Sequence, residues 1–68
     1  MDITKENFVD KLKELQDKTN SYALSTTIDF LLLMFKNPDN IPSRFTLMNI
    51  YMVLTLYDRE ENKRIGDI

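Results

Sequence analysis

Near the end of the chain, Asp58, Glu60 and Asn62 alternate along "DREENKRIGDI", directly after an apolar stretch. Oxygen ligands at loop positions 1, 3 and 5, with an apolar residue such as Ile65 at position 8, are how an EF-hand holds calcium. The spacing then departs from what the ion needs. Lys63 stands at position 6, where the sharp turn requires Gly, and position 12, which carries the bidentate Glu, falls beyond residue 68. The residues support a charged helix end better than a calcium loop, and no metal or other cofactor is expected.

The remaining candidates for chemistry stand alone. Ser21, Ser25 and Ser43 are possible nucleophiles, but with no His and no Cys in the chain they lack the usual activating base. The single Gly, at position 66, excludes a glycine-rich phosphate loop. Paired carboxylates can act as acid and base. Here Glu6, Asp10, Glu14 and Asp17 fall on the solvated side of an amphipathic segment, and Glu60 and Glu61 lie in a polar tail. A non-catalytic protein without a small-molecule substrate is the expectation.

The elements that would position such residues come from a chain of 68 residues, enough for one small domain spanning 1–68. A domain of that size buries only about 60% of its unfolded surface, and small chains lean on disulfides, a metal or association. Without Cys or His, association is the helper that remains. Nine Lys and Arg are interspersed with eleven Asp and Glu, which gives no basic footprint for a phosphate backbone. The amino-terminal "MDITKENFVD" lacks a basic region followed by an apolar run. The longest apolar run, "FLLLMF" at 30–35, is far short of the roughly 20 residues that span a bilayer. A soluble cytoplasmic protein that does not engage membranes is expected.

Three helices are predicted. Thr4 can cap the first, over about 4–18, with Ile3 and Phe8 spaced as a hydrophobic staple and Phe8, Leu12 and Leu15 forming one apolar stripe. Glu14 and Lys18 are spaced as a favourable i,i+4 pair. Asn20 or Ser21 can cap the second helix, with Thr26 and Asp29 offering a later start. Leu24, Ile28, Leu31, Leu32 and Phe35 give it a core stripe, which Ala23, Phe30 and Met34 widen to about half the circumference. Asn37-Pro38 stops it, and "NPDNIPS" reads as a turn in which Ser43 can cap the next segment.

Residues 44–57 are ambiguous. As a helix they put Leu47, Ile50, Tyr51 and Leu54 on one face and Phe45, Met52 and Leu56 nearly opposite. As a strand they alternate well, but a lone strand has no partner for its ladder, so helix is preferred. The polar end is expected to fray. The predicted fold is all-α, a small three-helix bundle.

A helix in such a bundle needs one apolar stripe, yet the second is apolar over half its surface and the third on two opposing sides. Surplus apolar surface of this kind marks an interaction site. The alternative is a third helix sandwiched between the other two, with nothing left over. The predicted contact residues are Phe30, Met34, Met48, Tyr51, Met52 and Leu56. The expected function is protein–protein binding, as an adaptor, inhibitor or accessory subunit, with the chain itself as homodimer partner or with another protein. The alternative is a compact dimeric transcriptional regulator of helix-turn-helix type. Against it, the connection at 37–43 is long for that motif, and the third helix offers few polar groups to read bases.

Overall fold

A computed structural model describes residues 3–66, with side-chain surroundings through Arg64. It contains α1 (Phe8–Lys18), α2 (Tyr22–Met34), a short 3-10 turn (Pro38–Asn40) and α3 (Arg44–Gly66). The all-α architecture is the expected one, and residues 44–57 are helical.

The start of α1 shows how local chemistry sets a boundary. The Thr4 N–H donates to Asn7 Oδ1 at 2.8 Å, and the Asn7 N–H donates back to Thr4 Oγ1 at 3.2 Å. This is a capping box with Asn in the role usually taken by Glu. It closes a turn over Thr4–Asn7, so α1 proper begins at Phe8 rather than at residue 4. Ile3 and Phe8 are both buried, as the staple requires. Glu14 pairs with Lys11 at 3.8 Å rather than with Lys18. Ser21 caps α2 by accepting from the Leu24 N–H at 3.1 Å, and the later start at Thr26 is not used. Asn37 caps the 3-10 turn through the Asp39 N–H, and the Asn40 amide donates to the Met34 carbonyl at the end of α2. Ser43 Oγ accepts from the Thr46 N–H at the start of α3.

The helices run up, down and up around one cluster. Phe8, Leu12 and Leu15 of α1 meet Leu24 and Ile28 of α2 and Leu47, Tyr51 and Leu54 of α3, with Ile3 and Phe35 completing the cluster. The Phe8 and Phe35 rings lie 5.6 Å apart, tilted by 55°, a favourable aromatic geometry. Leu31 and Leu32 are only half-buried against this core. Gln16 ties α1 to α2, donating from its amide to the Ser25 carbonyl at 2.9 Å and to Asp29 Oδ1 at 2.6 Å.

The third helix departs from expectation at its far end. Composition alone predicts fraying after residue 57, yet α3 continues to Gly66, while Asp67 and Ile68 lie outside the described residues. Glu, Lys and Arg are good helix formers, Lys63 and Arg64 sit favourably at the C-terminal end of the macrodipole, and Arg64 lies 3.6 Å from Glu61. Asp58 supplies the anchor. It is buried, and Thr19 Oγ1 in the α1–α2 turn donates to Asp58 Oδ1 at 2.5 Å. The same hydroxyl oxygen accepts from the Ser21 N–H at 3.1 Å, so one side chain links the turn to α3. Thr19→Val keeps the shape and removes the donor, leaving a buried carboxylate short of a partner. It is expected to lower stability by about 1–3 kcal/mol in urea unfolding.

Candidate interaction surface

Helix α3 carries two apolar stripes of the same spacing. Leu47, Tyr51, Leu54 and Asp58 recur at i, i+4, i+7 and i+11 and are buried. Phe45, Asn49, Met52 and Leu56 repeat that spacing two residues out of phase. Two residues turn the helix by 200°, so the second stripe points almost opposite to the first. The structure leaves it uncovered: Phe45 is 78% exposed, Met52 52% and Leu56 49%.

Helix α2 contributes a second uncovered arc. Tyr22, Phe30, Leu33 and Met34 are exposed, and within Tyr22–Met34 the one acidic or basic residue is Asp29, which already receives Gln16. The two arcs meet across an apolar groove of about 370 Å³ between the helices, with Thr27 and Leu31 on one wall and Thr46, Asn49, Ile50 and Val53 on the other. A smaller hollow of about 190 Å³, lined by Ile3, Met48, Asn49 and Met52, lies on the other side of the outer α3 stripe.

Of the six predicted contact residues, Phe30, Met34, Met52 and Leu56 are exposed on this surface. Met48 is half-buried and lines the smaller hollow. Tyr51 sits elsewhere: only 8% exposed, it belongs to the core stripe, 40° round the helix from Leu47, and little of it is left for another chain to cover. Sequence reasoning left Tyr22, Leu33, Phe45, Val53 and Tyr57 out of the contact set, although all are exposed. Projecting α2 and α3 onto a helical wheel centred on Leu24 and Leu47 would have found them.

Quantity separates this surface from the scattered exposed apolar residues of any protein. Among the described residues, nine large hydrophobic side chains are 42–87% exposed. At about 100–200 Å² each they amount to on the order of 1,000 Å², where the largest patch on a typical monomer is about 300–600 Å². Charge is sparse here too. Between Lys18 and Asp58 the charged residues are Asp29, Lys36, Asp39 and Arg44, and the other charges lie in α1, its lead and the tail.

The groups with possible chemistry have structural roles. Asp58, Glu60 and Asn62 are on a continuous helix, where Asp58 turns inward to Thr19 and Glu60 lies 200° away, so they cannot surround one ion. Ser21 and Ser43 cap helices. Among the described residues, no group of three or more His, Cys, Asp or Glu converges, and no helix is long and apolar enough to cross a membrane. Comparison with protein-family models, curated proteins and solved structures finds no match for this chain.

Proposed function

We propose that this chain is a non-catalytic helical module that acts by protein–protein binding, and that the first occupant of its α2–α3 face is a second copy of itself. The observation that carries the reading is the nine exposed large hydrophobics gathered on α2 and α3. The face offers on the order of 1,000 Å² per chain, enough to supply the roughly 800 Å² per partner of a standard stable interface. Self-association follows from the character of the face. It is apolar and poor in charge, so two copies present little that repels, and a two-fold arrangement covers both faces at once. Such a module works as an adaptor, an inhibitor or an accessory subunit. A helix-turn-helix regulator would instead show salt-dependent binding to random duplex DNA, and none is expected in a gel shift at low salt.

Dilution followed by amide NMR spectra tests the reading. From millimolar to micromolar protein, the resonances that move should belong to Phe30, Leu33, Phe45, Met52 and Leu56 and their neighbours. Spectra that do not change on dilution, or changes confined to α1, would count against it.

A further inference from the structure

We propose that α3 packs antiparallel against α3 of a second copy, about a two-fold axis passing between Asn49 and Met52. The proposal rests on the homodimer reading above and supplies the orientation of the two chains, with the α3 part of the face at the centre of the contact and the α2 arc on its flank. Phe45, Asn49, Met52 and Leu56 have the alternating three- and four-residue steps with which helices pack along a shared seam. The inner stripe of α3, identical in spacing, already packs this way on α1 and α2, so the outer stripe has the geometry of a helix-packing face that lacks only its helix.

Centring the seam sets Phe45 opposite Leu56 of the second copy and Asn49 opposite Met52. The two Asn49 side chains are then three residues apart along the seam, about 4.5 Å, and can bond amide to amide. A polar residue at such a position favours registers that bring its amide beside that of the second copy. A slip of one heptad either carries the amides about 15 Å apart or runs Leu56 past the start of α3. The hollow lined by Ile3, Met48, Asn49 and Met52 lies beside the axis, where a side chain of the second copy fills it.

Charge decides between antiparallel and parallel. Continued toward the C-terminus, the outer stripe passes through Arg59 and Lys63, both exposed. A parallel pair would stack Arg59 on Arg59 and Lys63 on Lys63. The antiparallel pair sets these cations at opposite ends of the seam, so that neither stacks on its own copy. The antiparallel pair thus avoids the like-charge stacking of the parallel one.

The chain has no Cys, so a nitroxide on Asn62→Cys, exposed and off the seam, labels one site per chain. The antiparallel pair separates the two labels by 23 residues of rise, about 35 Å, whereas a parallel pair holds them within about 20 Å. A dipolar distance near the longer value supports the proposal. The shorter value, or any other distance in a sample that sediments as a dimer, overturns this orientation and leaves the dimer standing. A labelled chain that sediments as a monomer and shows no coupling overturns the homodimer itself.

Discussion

Ile28→Ala is expected to lower the unfolding free energy by about 2–5 kcal/mol, the range for large-to-small changes at fully buried sites. Ile28 has no exposed surface and lies where α2 meets both other helices, so its removal leaves a cavity that the surroundings cannot fill without moving a helix. A 68-residue domain at roughly 0.05–0.15 kcal/mol per residue holds about 3–10 kcal/mol in all, so this single change could unfold a large fraction of the chain. Leu32→Ala is the informative comparison. Leu32 is half-buried on the flank of the same helix and should cost less than half as much. Urea melts at one fixed protein concentration give both values, since association contributes to the apparent stability. Equal losses at the two sites would mean that α2 is rotated about its axis, with Leu32 as deep in the core as Ile28.

Met52→Glu is expected to weaken self-association at least a hundredfold while leaving the single chain folded. In one chain Met52 is half exposed on the outer stripe, so a carboxylate there stays in water and changes monomer stability within about 0.5 kcal/mol. In the dimer the same carboxylate would be buried with no cation to pair it and close to its own copy across the two-fold axis. A penalty of about 3 kcal/mol or more corresponds to that hundredfold loss. Lys13→Glu, on the exposed side of α1, is the matched control and should leave association nearly unchanged. Dilution calorimetry of the three proteins separates the effects. If the α1 variant weakens association as strongly as Met52→Glu, the contact does not lie on α3.

Much of this fold is legible in the sequence because its boundaries are set by local chemistry. Thr4, Ser21, Asn37 and Ser43 each do at a helix or turn start what their side chains predispose them to do. The α1 stripe of Phe8, Leu12 and Leu15 is buried as its period requires. The far end of α3 was not legible, because its helicity owes nothing to an apolar period. It depends on charged helix formers and on Thr19, 39 residues earlier, reaching Asp58. The Gln16 bridge to α2 was hidden for the same reason, since it exists only once the α1–α2 turn has brought Ser25 and Asp29 alongside.

The surface itself was partly legible. Residue type pointed to Tyr51 as an interface aromatic, but in a helix with two apolar faces the phase decides, and the phase places it with Leu47 and Leu54. The surplus of apolar residues could be read from counts alone. Its arrangement as two matched stripes on α3, joined across a groove to α2, needed to be seen in three dimensions, because only packing shows which stripe α1 and α2 cover.

Sedimentation equilibrium over a wide range of protein concentration tests self-association most directly. At micromolar concentration and above, the expected mass is that of two chains of 8.1 kDa each, falling toward one chain on dilution, with a melting temperature that rises with concentration. A constant mass of 8.1 kDa throughout, with a melting temperature independent of concentration, would show that a second copy does not cover the α2–α3 face.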